Sequence, residues 1–295
     1  MTSWERLRDL LRQMGKGDRE VIDRDLGFEL CRQDGVQAIV LGSYVKAGDT
    51  FATDVKVLDV ETKGIIKSFS SRGEGVDSIL KRQIDDLSRE IAKGIVQPEG
   101  VTQVAASPIA EVTTNSMEAY GHFLRGRDDY EKFYLAEAQK SLERAVELDP
   151  DFAMAYYYLA RVNLQLGNGE AARQSLAKLQ PLGDRVAGKE GLYIKALLAD
   201  LVERNADKAM EILRKITADF PDEKRARLDL GTYYYRLGKL EEGLAELHKA
   251  VKLDPQYGFA MNMLAYTYAQ LQKYDQAIEW FKKYGLVSPA DAIAP

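Results

Sequence analysis

Apolar residues recur three and four apart, between charged ones, over residues 4–14 and 21–31. That spacing predicts two amphipathic helices, each with one stripe to bury. The period then changes. Residues 38–45, 51–60 and 65–70 are rich in β-branched and aromatic types, and Gly48-Asp49 and Lys63-Gly64 separate them at hairpin distances, which predicts three antiparallel strands. Helical spacing returns over 80–95, where Ile84, Leu87, Ile91 and Ile95 share a face able to cover the sheet. Residues 97–114 hold two prolines and a glycine with no sustained period and read as a linker. It divides an α+β domain at 1–96 from a second region at 115–295. Asn115, with Glu118 three residues on, predicts a capped helix resuming near Ser116.

The second region repeats itself. A small residue returns at Ala138, Ala172, Ala209, Gly243 and Ala277, at spacings of 34, 37, 34 and 34 residues. Four residues further on the same register gives Leu142, Leu176, Leu213, Leu247 and Phe281, and turn prolines stand at Pro150, Pro221, Pro255 and Pro289. A small residue where two antiparallel helices cross lets their backbones approach, and the large apolar residue one turn later fills the adjoining seam. Each unit is therefore a helical hairpin that is stable only when stacked on neighbours. Five units are predicted, at about 119–152, 153–186, 190–223, 224–257 and 258–291, giving ten helices.

Composition narrows the function classes. The 295 residues are enough for about two domains, and 45% hydrophobic with 29% charged residues is ordinary for a folded chain. A net charge of −5 offers no basic excess for a phosphate backbone, so nucleic acid is not expected as a partner. No run of 18 apolar residues and no hydrophobic leader stands in the sequence. No direct membrane insertion is expected, and the chain by itself reads as cytoplasmic. Cys31 is a single cysteine and His122 and His248 fall in different repeats, so neither a Cys/His nucleophile pair nor a metal site is expected. The carboxylate neighbours Asp85-Asp86 and Glu241-Glu242 diverge by about 100° on a helix and read as solvated faces. The loops at 15–18 and 72–75 lack phosphate-cradling spacing, and no catalytic motif is present. The expectation is a non-enzyme with no catalytic residues, no metal and no cofactor.

The hairpin segments LGTYYYRLGKLEEGLAELHKAVKLDP (230–255) and LAYTYAQLQKYDQAIEWFKKYGLVSP (264–289) resemble the tetratricopeptide repeat (TPR) family. The resemblance spans about 119–291. It implies a mainly α fold, a right-handed α-solenoid of five TPR hairpins whose first helices line a concave, partner-binding groove. Two departures stand out: repeat two lacks the turn proline, and about three extra residues in 181–190 precede repeat three. Carried over position by position, the groove residues are Tyr120, Phe123 and Arg127, then Tyr157, Tyr158 and Arg161, then Lys195. Repeats four and five contribute Arg225, Asp229, Arg236, Asn262, Met263 and Tyr266. Rigid rings alternating with arginines suit an acidic or aromatic-bearing protein or peptide. Several of the rings, Tyr157 beside Tyr156 above all, equally suit inter-repeat seams. Family members that bind chaperone tails use lysine and asparagine on successive turns, and Phe123, Arg127, Tyr157 and Arg161 stand at the corresponding positions, so that clamp is not expected.

The first region, with AIVLGSYVKAGDTFATDVKVLDVETKGII (38–66) between helices, resembles the TolB amino-terminal-like (FlgO-like) domain of bacterial proteins. In that family a strand, a helix and a second strand come before the point where this chain begins, so the small three-stranded antiparallel sheet is expected to be incomplete. Similar segments follow a kinase domain and membrane helix in some bacterial serine/threonine kinases. The leading expectation is a non-catalytic interaction scaffold. Its alternatives are the sensor or assembly arm of a membrane-bound kinase or envelope complex, extracytoplasmic or periplasmic, and a regulated enzyme. After Pro289 no polar capping helix follows, so further repeats or a homodimer through the last repeat are expected to cover its apolar end.

Overall fold

The computed structural model describes residues 4–16, 21–94 and 114–287. The chain divides into two compact units, Met1–Met117 and Glu118–Pro295. The expected linker at 97–114 lies outside the described residues except for Thr114, as do Ile95 and Pro289 with the stretch after it.

In the first unit, α1 (Trp4–Gln13) and α2 (Arg24–Gln33) pack through Leu10, Leu11, Leu26 and Leu30. The second helix starts three residues later than its apolar spacing predicts because Asp23 caps it, accepting from Leu26 N at 2.9 Å. Strands β1 (Ala38–Ala47), β2 (Thr50–Asp59) and β3 (Ile65–Glu74) form an antiparallel meander in the order β1-β2-β3. Both turns use left-handed residues, Gly48 and Lys63. In the second turn Asp59 accepts from the backbone and hydroxyl of Thr62 and from Glu61 N, which holds its carboxyl below the usual range.

Alternation then sorts the sheet's two faces. Ile39, Leu58 and Val60 meet Phe28 and Cys31 of α2 on one face, whereas Val55 and Val57 meet Leu87 and Ile91 of α3 (Ile84–Gly94) on the other. The expected helix over 80–95 opens with a π-helical turn, Ile79–Gln83. That wide turn swings Gln83 onto the sheet. Its amide donates to Phe51 O at 3.1 Å and Ser78 Oγ at 2.8 Å, and its carbonyl accepts from Thr53 Oγ1 at 2.7 Å.

The second unit is ten helices among the described residues, paired as five hairpins. They are α4 (Met117–Glu131) with α5 (Leu135–Leu148), α6 (Ala153–Gln165) with α7 (Gly169–Gly183), and α8 (Gly188–Leu201) with α9 (Ala206–Asp219). Then come α10 (Lys224–Arg236) with α11 (Leu240–Leu253), and α12 (Gly258–Gln270) with α13 (Tyr274–Val287). The recurring small residues are all buried at the crossings. Helices approach closely in repeats one and four, where a Cβ on Gly126 would lie 2.7 Å from Leu142 Cγ and one on Gly231 would lie 2.6 Å from Leu247 Cγ. The extra residues before repeat three extend α7 through Pro181 to Gly183 and form the turn to α8. There a Cβ on Gly191 would sit 2.0 Å from Val186 O, so only glycine fits.

Candidate functional site

The first helices of the five hairpins, α4, α6, α8, α10 and α12, carry every residue that the repeat register places in the groove. Stacking at one register brings equivalent positions of successive repeats onto one wall. The structure sorts these residues into three groups.

Phe123, Tyr157 and Tyr158 are buried, with 5%, 1% and 2% exposure. Phe123 packs 4.8 Å from the Phe152 ring and 5.7 Å from Tyr158, and Tyr157 and Tyr158 meet edge to face at 5.3 Å. These three fill seams between repeats rather than an open surface. The small exposure of Tyr157 and Tyr158 follows from helix α6, which is buried on nearly all sides.

Arg161, Arg225, Asp229 and Arg236 are tied to the protein's own groups. Arg161 grips Asp229 with both terminal nitrogens, at 3.0 and 3.2 Å, and also donates to the Tyr157 hydroxyl at 3.1 Å and to Tyr130 at 3.3 Å. Arginine and aspartate stand 68 residues apart, two repeats, so α6 and α10 are clasped directly. Burial alone works against the Arg161 charge, but the Asp229 carboxylate and the two phenols hold its pKa well above the ordinary value. Arg225 bonds the Tyr158 hydroxyl and lies over the rings of Tyr158 and Tyr193 at 4.9 and 5.3 Å. Arg236 pairs with Asp200 at 3.0 Å and stacks on Tyr233 at 5.2 Å.

The remaining positions face solvent to different degrees. Lys195 and Tyr266 are exposed, and Tyr120, Arg127, Asn262 and Met263 are half-buried. Arg127 lies 5.8 Å from the Phe123 ring centre, and Met263 leans on the core around Leu228 and Leu264.

Sequence reasoning did not single out the residues that complete the wall. Tyr130 and Phe133 of repeat one stack on Phe259 of repeat five at 5.1 and 4.0 Å, and Phe133 also meets Tyr284 at 5.5 Å. The first and last repeats therefore touch. Between α4, α6, α8, α9 and α10 a cavity of about 260 Å³ remains, with the Arg161–Asp229 clasp in its wall.

Other candidate chemistry is dispersed. His248 bonds the Tyr268 hydroxyl at 2.8 Å and packs on Trp280, and burial followed by the charge of Lys283 lowers its pKa. Burial, with a smaller push from Asp34, raises the Cys31 thiol, which keeps it in the protonated form. Among the described residues no group of three or more His, Cys, Asp or Glu is placed to hold a metal, and no helix is long and apolar enough to cross a membrane.

Three comparisons bear on this architecture. A tetratricopeptide repeat profile matches residues 124–186, 195–258 and 228–290. Tetratricopeptide repeat protein 37 of Xenopus laevis is 29% identical over 226 residues, covering 62% of this chain but only 14% of that protein's length. A thermophilic TPR protein in Thermus thermophilus is similar in structure, with 22% identity, coverage of 60% of this chain and 94% of that chain, and a TM-score of 0.41. YrrB, described as a TPR protein with an unusual peptide-binding site, shows 21% identity, 60% and 89% coverage and a TM-score of 0.34.

Proposed function

The chain belongs to the tetratricopeptide repeat family, and from that premise we propose that it is a non-catalytic scaffold holding a protein or peptide against the wall of its first helices. The observation that carries this reading is the division of labour along that wall. Phe123, Tyr157 and Tyr158 with the clasped Arg161, Arg225 and Asp229 make it rigid. Lys195, Arg236 and Tyr266 stand exposed on it, beside the half-buried Tyr120, Arg127, Asn262 and Met263. A rigid wall with a few accessible anchors loses little conformational entropy on binding.

Affinity capture with the full chain tests this. Lys195→Glu combined with Tyr266→Ala is expected to lose a partner that Lys140→Glu, an exposed change on the second helix of repeat one, retains. Partner recovery indifferent to the first pair of changes overturns the wall as the binding surface.

A second reading is favoured by the first unit, whose strand β1 leaves Val40, Tyr44 and Val45 at 41%, 68% and 59% exposure along a sheet edge. An open apolar edge suits pairing with another strand. On this reading residues 1–96 are a TolB amino-terminal-like domain serving as an assembly or sensor arm. In the same capture experiment this reading expects loss of the partner on Tyr44→Asp instead.

A further inference from the structure

We propose that the cavity between α4, α6, α8, α9 and α10 is a specificity pocket for one uncharged aromatic side chain of a protein or peptide partner. The inference rests on the scaffold reading above and names what that wall would select.

Size favours a small occupant. At about 260 Å³ the cavity lies below the roughly 300–1,000 Å³ of sites for drug-sized ligands and cofactors. It has room for one large side chain. Its walls are chemically matched to a ring. Leu164, Leu197 and Leu201 supply an aliphatic side and the half-buried Tyr233 supplies an aromatic one, whereas Tyr157, Tyr193 and Leu213 are almost wholly closed off. Ring edges packing on ring faces favour an aromatic guest over an aliphatic one of equal area.

Charge decides against an acidic side chain, although two arginines line the space. Arg161 is saturated by Asp229 and two phenols, and Arg236 is paired with Asp200. The two cations and two anions cancel. A carboxylate entering here would compete with an aspartate already in place, and an ammonium would compete with an arginine. A neutral ring disturbs neither pair.

One group lining the cavity has no use within the protein. The Tyr193 hydroxyl is buried without any hydrogen-bond partner, in a side chain only 3% exposed. Burial raises its pKa well above the ordinary value, so it stays a neutral phenol able to donate or accept. With its oxygen closed off from solvent, this hydroxyl offers nothing to a guest and leaves selection to the rest of the lining. The pocket opens at Leu164, Gln165 and Arg236, all exposed, which gives a side chain a way in from the wall.

The test is a titration of the full chain with N-acetyl-tyrosinamide, N-acetyl-phenylalaninamide and N-acetyl-aspartic acid amide, followed by nuclear magnetic resonance. The two aromatic probes are expected to give saturable shifts concentrated at the cavity lining, in 157–165, 193–201 and 229–236, with the aspartic probe at least about tenfold weaker. Ala196→Leu, which builds three carbons into the cavity, and Leu164→Trp at its rim are each expected to weaken the aromatic probes by at least about tenfold. Absence of saturable shifts, equal binding of the charged probe, or aromatic binding that survives both filling variants overturns the pocket. Captured partner that is lost with Lys195→Glu and Tyr266→Ala yet retained with Ala196→Leu overturns the pocket and leaves the scaffold reading standing.

Discussion

Gln272 sits in the turn inside the fifth hairpin at φ +60°, exposed, where the backbone turns left-handed between α12 and α13. Its equivalents in the other turns are Phe133, Gly167, Arg204 and Gly238, so left-handed residues recur at spacings of 34, 37, 34 and 34. A side chain there meets its own carbonyl, at a cost of about 1–2 kcal/mol, whereas glycine forgoes that strain but orders a freer chain. Gln272→Gly is therefore expected to stabilise by about 0.5–1 kcal/mol, read as a higher urea midpoint with an unchanged slope. Phe133→Gly is expected to do the opposite, because its ring lies 4.0 Å from Phe259. A lower midpoint for Gln272→Gly would show the turn to be held by something other than local backbone strain. The buried alanines and leucines of the hairpins were legible in the sequence because size and spacing encode them. Three of the five left-handed turn positions were not, since Phe133, Arg204 and Gln272 carry no left-handed signal.

Helix α10 begins with Lys224, and a cation in a first turn is unfavourable beside the helix dipole. The structure supplies the reason it is tolerated. Lys224 reaches Asp254, in the turn after α11, at 2.7 Å, with side-chain exposures of 7% and 0%, and crosses the Tyr257 ring at 4.7 Å. The other oxygen of Asp254 accepts from Gln256 N at 3.0 Å. One buried ion pair thus pins the start of a helix to the turn that ends its hairpin. Lys224→Met removes the paired cation from the buried Asp254 and is expected to cost about 3–5 kcal/mol, and adding Asp254→Asn is expected to restore much of it. A double-mutant cycle by denaturant unfolding reads this, and additive losses would remove the pair as the pin. The helices themselves were legible from their 3.6-residue stripe, as was the Asp254-Pro255 turn. What pattern could not reveal was that a basic residue at a helix start lies buried, because its partner is 30 residues away. The π-helical turn at Ile79–Gln83 escaped for a similar reason: Gln83 is polar by type and becomes core only through Phe51, Thr53 and Ser78.

An open stack of helical hairpins holds each repeat only through its neighbours, so its end repeats fray before the middle. The repeat array adds two longer connections: the Arg161–Asp229 clasp from repeat two to repeat four, and the Tyr130, Phe133, Phe259 and Tyr284 cluster from repeat one to repeat five. Repeat register singled out both Arg161 and Asp229 for the groove, yet their mutual pairing was not legible, because repeat spacing fixes a register and leaves the tightness of coiling to side chains. The physical consequence is that the ends of the array share the stability of its centre. Amide hydrogen exchange of the full chain is expected to protect α4 and α12 nearly as well as α8. Asp229→Ala combined with Phe133→Ala removes one contact of each kind. That variant is expected to speed exchange in α4, α12 and α13 by at least about tenfold, with a smaller change in α8 and α9. Equal acceleration throughout would mean the contacts stabilise all repeats alike, and no acceleration would mean the ends do not depend on them. Since the clasp also walls the cavity, the same variant is expected to weaken N-acetyl-phenylalaninamide in parallel, which joins closure of the array to recognition by it.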